Sequence, residues 1–141
     1  MRISPHTCTV QVPGTALRIR AEALIHLITT DRDIEKMLLR YVQATLIQSS
    51  QLVACNSRHS LNQRVARWLL VARDRTDSSE IGITHRCIAQ ALGVRRASIT
   101  DTFTDMEAAG LIRRSRKHIA ITDEASMTEL SCNCHRVIQA A

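Results

Sequence analysis

Residues 31–55 contain no glycine or proline, and Leu39, Leu46 and Val53 recur every seven residues beside Val42. Ile34, Leu38, Tyr41 and Leu52 widen the stripe, which is the pattern of a long amphipathic helix. Asp31 and Asp33 stand near its start, where carboxylates suit the positive end of the helix dipole. Because little chain precedes the stripe, it is expected to pack on a second copy of itself as in a two-stranded coiled coil, although Gln48 and Ser49 weaken the seam. The alternative is that it folds back on its own domain. A second helix is predicted over 59–72, with Leu61, Val65, Trp68, Leu69 and Ala72 on one face and Arg58, Arg64 and Arg67 facing mostly outward. Residues 7–19 place β-branched residues around Pro13-Gly14 and read as two short strands joined by a turn. The polar stretch 74–82 reads as a loop.

Residues 83–112 carry the punctuation of a helix-turn-helix. Thr84 is a good N-cap for a short helix through Ala91. Ile88 and Leu92 supply apolar contacts, Ala89 is small enough for a second helix to cross closely, and Gly93 permits the left-handed backbone of a tight turn. Val94 then points back to the core. The second helix is expected over 96–109, with Ile99, Phe103 and Met106 as its buried stripe and Gly110 as its stop. Its free face begins with Arg95, Arg96, Ala97, Ser98 and Thr100, at the end that enters the major groove in such motifs. An arginine can bond both acceptors of guanine, and small side chains allow close approach to base edges, so Arg96 is the leading candidate to read a base. Residues 111–121 set apolar ends around a basic middle, as two short strands flanking a cationic wing would.

Charge reinforces this reading. Nineteen Lys and Arg against thirteen Asp and Glu leave a formal net charge of +6, which favours polyanionic partners. Within 95–118 there are six basic and three acidic residues, so the excess concentrates at the motif and the wing. Arg113, Arg114, Arg116 and Lys117 suit phosphate contacts, joined by Thr84, His85 and Arg86 at the start of the leading helix. The only aromatic residues are Phe103, Trp68 and Tyr41, too few to stack unpaired bases, so duplex DNA is favoured over RNA or single strands.

Other chemistries find less support. No Gly-rich phosphate loop, nucleophile elbow or HExxH pattern occurs, and the six histidines are scattered, so no enzyme is expected. Cys132-Asn133-Cys134-His135 holds three soft ligands, and Cys55 and His59 stand one helical turn apart, which raises a metal or redox sensor as a rival. That rival lacks a second paired cluster at zinc-finger spacing. Cys55 and Cys87 are therefore expected to pack as small apolar groups, Cys132 and Cys134 to end the tail, and no metal or cofactor is assigned. Five cysteines, no apolar leader and no run long enough to span a bilayer suggest a reducing cytoplasm and no membrane partner.

The segments LLRYVQA, ACNSRHSLNQRVARWLL, LGVRRASIT, GLI and SCNCH, spread over residues 31–135, resemble the Crp/Fnr family of bacterial transcription factors. The resemblance implies a mainly α fold with a small β wing, in which a long dimerisation helix precedes a winged helix-turn-helix. It implies binding to a palindromic duplex site as a homodimer, with RNA polymerase as a further candidate partner. VQVPGTALRI resembles only the closing strands of the family's sensory barrel, so the chain is read as a truncated member or a fragment of a longer gene, with no cyclic-nucleotide response expected. The expected organisation is a barrel remnant over 1–20, linker and dimerisation helix over 21–56, winged helix-turn-helix over 57–126 and a tail over 127–141. By resemblance Arg96 matches the family's base-reading arginine, Ala97 stands where a glutamate often reads a base, and Asp101 where some members carry arginine. Arg86 stands where relatives have an acid, and the turn 115–118 lacks the family's usual glycine. Leu39, Val42, Leu46 and Val53 fall in the dimerisation stripe. A second reading is a partner that pairs with full-length relatives without binding DNA alone.

Overall fold

The computed structural model describes residues 10, 14–76, 78, 80–116 and 118–140, which form seven helices and three short strands. The expected strands over 7–19 fall largely outside these residues, and 14–20 carry no strand. Helix α1 (Ala21–Thr30) occupies the stretch read as linker; it is made of good helix formers, with Glu22 in the first turn. It stops where the Thr29 and Thr30 hydroxyls donate back to the His26 carbonyl at 2.9 and 2.8 Å. Asp31 then leaves the helical region and caps the next helix, accepting from the N–H groups of Asp33 at 2.8 Å and Ile34 at 3.3 Å.

That helix, α2 (Arg32–Arg58), is the long one expected, and it ends on a basic last turn. Its apolar stripe is uncovered: Leu39, Val42, Leu46 and Val53 are 61, 52, 62 and 71% exposed, and Cys55 is its only buried residue. Helix α3 (Leu61–Asp74) begins later than position 59 because Ser60 and Gln63 form a capping box, each side chain bonding the other's backbone N–H. Val65, Ala66, Leu69 and Leu70 are fully buried. The expectation that Arg67 faces solvent is wrong: it is 3% exposed. Two further helices, α6 (Glu124–Leu130) and α7 (Cys134–Gln139), pack on α3 and cover a side that the sequence pattern leaves open. Trp68 is half-buried, packs against the core and lines a cavity of about 550 Å³ with Gln48, Leu52 and Leu92.

Helices α4 (His85–Leu92) and α5 (Arg96–Ala108) stand next to a three-stranded antiparallel sheet of order β1-β3-β2. Strand β1 (Glu80–Ile81) lies inside the stretch read as loop and pairs Ile81 with Ile119. Strands β2 (Ile112–Arg114) and β3 (Ile119–Ile121) form the hairpin, with Ile112 opposite Ile121 and Arg114 opposite Ile119. Ile81, Ile88, Ile99, Phe103, Met106 and Met127 meet Leu69 and Leu70 in one core, so sheet, motif and α6 are held by a single apolar cluster. Asp123 caps α6 by accepting from the Ser126 N–H at 3.0 Å. Helix α7 is tied to the end of α3 through Asp74, whose Oδ2 lies 3.0 Å from His135 Nε2 and accepts from Gln139 Nε2 at 3.4 Å. Among the described residues no helix is long and apolar enough to cross a membrane.

Candidate nucleic-acid interface

The turn between α4 and α5 follows from three residues. Thr84 accepts from the Cys87 N–H at 3.3 Å and starts α4. Gly93 ends it at φ 65°, the left-handed conformation that a Cβ disfavours. Val94 donates its N–H to the Ala89 carbonyl at 3.0 Å and Gly93 to Gln90 at 3.3 Å, the paired bonds of a Schellman stop. The motif is also held from outside: the Arg64 guanidinium donates to the Leu92 carbonyl and, through Nε, to Asn56 Oδ1 at 3.1 Å.

Helix α5 buries the expected Ile99, Phe103 and Met106, and also Thr102, whose hydroxyl donates to Asn62 Oδ1 at 3.3 Å. On the free side Arg95, Arg96, Ala97 and Asp101 are exposed, with Ser98 and Thr100 half-buried. The helix start has no side-chain cap and no acid in its first turn, so its unpaired N–H groups and the positive end of its dipole face outward.

His85 joins the two helices. Its Nδ1 lies 3.0 Å from Thr100 Oγ1, and its ring meets Phe103 edge-on with centroids 4.9 Å apart. Burial, and then the positive charges of Arg114 and Arg96, hold its imidazole below the ordinary histidine range. Thr84 and Arg86 beside it are exposed.

On the hairpin Arg113 and Arg116 are exposed, whereas Arg114 is half-buried and held by Glu107. The Arg114 backbone N–H donates to Glu107 Oε1 at 2.9 Å and its Nε to Oε2 at 2.7 Å. Arg114 thus fastens the hairpin to α5, and Glu107 is the anchoring residue that sequence reading passed over. The signal was available as an acid six positions before a basic run, but nothing in the local pattern said that the chain would double back. The glycine-free turn is closed by the Ser115 N–H donating to the His118 carbonyl at 2.9 Å; Lys117 lies outside the described residues. Arg86, Arg96, Arg114 and Arg116, with Thr84, His85, Ser115 and His118, line a cleft of about 290 Å³ between the starts of α4 and α5 and the hairpin, with no carboxylate among the described residues of its walls.

This fold and basic face define a winged helix-turn-helix protein. Residues 63–130 match the Crp-like helix-turn-helix domain, and the chain carries that domain. Among solved structures it is similar to a Crp/Fnr-family transcriptional regulator described from Eubacterium rectale, at 26% identity and a TM-score of 0.62 over 78% of this chain and 51% of that one. FixK2 of Bradyrhizobium japonicum aligns at 15% identity and a TM-score of 0.75, over 81% of this chain and 60% of that one. A CRP-family regulator of Thermus thermophilus aligns at 22% and 0.58, over 80% and 55%, and these latter two attest the fold. The chain therefore spans from 51 to 60% of the length of these structures. No curated protein sequence matches it.

Proposed function

We propose that this protein is a DNA-binding transcription regulator that binds a palindromic duplex site as a homodimer, with α5 as its recognition helix and the β2–β3 hairpin as a phosphate-contacting wing. The observation that carries the reading is the convergence of Arg86, Arg96 and Arg116 on one cleft, with no acid among its described lining residues, beside an uncapped helix start. Such a surface suits a duplex backbone, while the exposed Arg95, Arg96, Ala97 and Asp101, with the half-buried Ser98 and Thr100 beside them, are candidates to meet base edges. Two of the similar structures are of proteins described as transcriptional regulators, which agrees with this role.

Homodimerisation is supported by the uncovered stripe of α2. Four large apolar side chains more than half exposed on one 27-residue helix are costly in water, and a second α2 would cover them. A two-fold pair would set two copies of α5 in successive major grooves.

The test is to select a binding site from random duplexes and compare two variants. Arg96→Ala should weaken the selected site by about 1–3 kcal/mol while changing random DNA less; Arg116→Ala should weaken all sequences alike and reduce the salt slope by about one. Equal losses in both variants, or no binding by the wild type in dilute buffer, would refute the assignment.

A further inference from the structure

Away from the basic face, four potential metal ligands meet at the junction of α2, α3 and α7. Cys55 lies in the last turn of α2 and His59 caps its C-terminal end, while Cys132 and Cys134 come from the segment entering α7. One donor atom from each lies within 4.8 Å of every other. Cys55 Sγ is 3.5 Å from Cys132 Sγ, and Cys134 Sγ is 3.6 Å from His59 Nδ1. A tetrahedral zinc with bonds of about 2.3 Å to sulfur and about 2.0 Å to nitrogen has edges of about 3.8 Å between sulfurs and about 3.5 Å between sulfur and nitrogen. The two measured separations already match such edges.

The surroundings point the same way. Cys55, Cys132 and Cys134 are 0, 5 and 3% exposed, yet they form a buried cluster of their own rather than joining the aliphatic core. The thiols are free, not bridged. Gln51 Nε2 donates to Cys134 Sγ at 3.0 Å, the outer hydrogen bond that commonly orients a metal-binding thiolate. Arg67 is buried and its Nε has no hydrogen-bond partner among the described residues. A buried guanidinium without a partner has a physical reason if an anionic centre forms nearby. Three thiolates and one divalent cation leave one net negative charge, which Arg67 offsets.

We propose that Cys55, His59, Cys132 and Cys134 bind a single zinc ion in a closed tetrahedral site that clamps α7 to the end of α2. Soft sulfur with imidazole selects zinc over hard cations, and four protein ligands with no open position mark a structural rather than a catalytic site. The donors are too tightly grouped for an iron–sulfur cluster, where they must reach different irons. On binding, the three thiols release their protons to solvent and His59 coordinates through its neutral ring, so the site strengthens as pH rises. His135, adjacent in sequence, takes no part, since it faces Asp74. The clamp closes a loop of 77 residues and lies where the chain turns from α2 into α3, so it sets the angle between the long helix and the helix-turn-helix.

The full chain, purified and held under reductant, should contain one zinc per chain by elemental analysis. Cobalt exchanged into it should give the intense ligand-field bands of a tetrahedral site and a sulfur-to-metal charge-transfer band. Cys132→Ser and Cys134→Ser should lose both, Cys87→Ser should keep both, and Gln51→Leu should weaken zinc by about 10–100-fold. The wild type provides a readout independent of any variant's folding: with zinc, two of its five thiols should react with an alkylating probe, and chelator should expose all five. Failure to load zinc from a buffered excess, retention of the cobalt spectrum by Cys132→Ser, or ready formation of a Cys55–Cys132 disulfide when the zinc-supplied protein is exposed to oxygen without reductant would overturn the proposal. These readouts use no DNA, so they stand or fall separately from the regulator reading.

Discussion

At the scale of single residues, the chemistry of the basic face turns on His85 and Glu107. His85 is held neutral at neutral pH by burial and by the cations of Arg114 and Arg96. Its folded-state pKa is depressed, so the unfolded chain binds more protons as pH falls through the ordinary imidazole range, and acidification there weakens the fold. A phosphate seated in the cleft would offset the two arginines. NMR titration of the His85 ring should give a midpoint below the ordinary value in free protein and a higher one with duplex DNA; an unmoved midpoint would mean that no phosphate sits there. Glu107 shows the opposite sign. Hydrogen bonds from the side chain and backbone of Arg114 depress its pKa, so its contribution is complete above the ordinary carboxylate pKa and is lost as pH falls through the lowered one. The Arg114 amide should therefore keep its hydrogen-bonded chemical shift to a pH below the ordinary carboxylate range and lose it only on further acidification.

At the scale of elements, the helix-turn-helix depends on a backbone conformation rather than on contacts at Gly93. A Cβ built at Gly93 would meet nothing within 4 Å, so a substitution there is opposed by the φ of 65° alone. Gly93→Ala should cost about 1–2 kcal/mol in denaturant unfolding, and Gly93→Asn less, because asparagine tolerates the left-handed region. Phe103 tests the other half of the motif. It is fully buried beneath the recognition surface, and Phe103→Ala should cost about 3–5 kcal/mol, visible as a lowered unfolding midpoint.

For the whole molecule, the stripe on α2 and the core behind α5 are separate structural units. Leu46→Glu replaces a side chain that is 62% exposed and outside the core, so the variant should stay folded by circular dichroism. In sedimentation equilibrium the wild type should sediment as a dimer and the variant as a monomer, and the variant's affinity for a palindrome should fall while a half-site is bound nearly as before. A dimeric Leu46→Glu would move the interface elsewhere.

Much of this was legible in the sequence because it is local. The heptad spacing of Leu39, Leu46 and Val53 marks a helix whatever surrounds it, and Thr84, Gly93, Ile99, Phe103 and Gly110 mark the motif through capping, backbone freedom and periodicity within a few residues. What only the tertiary structure decided involves residues far apart in the chain. Burial of Arg67, pairing of Glu80–Ile81 with the hairpin, and attachment of Arg114 to Glu107 all depend on which elements return to cover which faces. The same holds for the cysteines. Residues 55 and 59 share a helical face by spacing alone, but positions 132 and 134 reach them only because α6 and α7 fold back over α3, and hydrophobic periodicity carries no record of that long-range return.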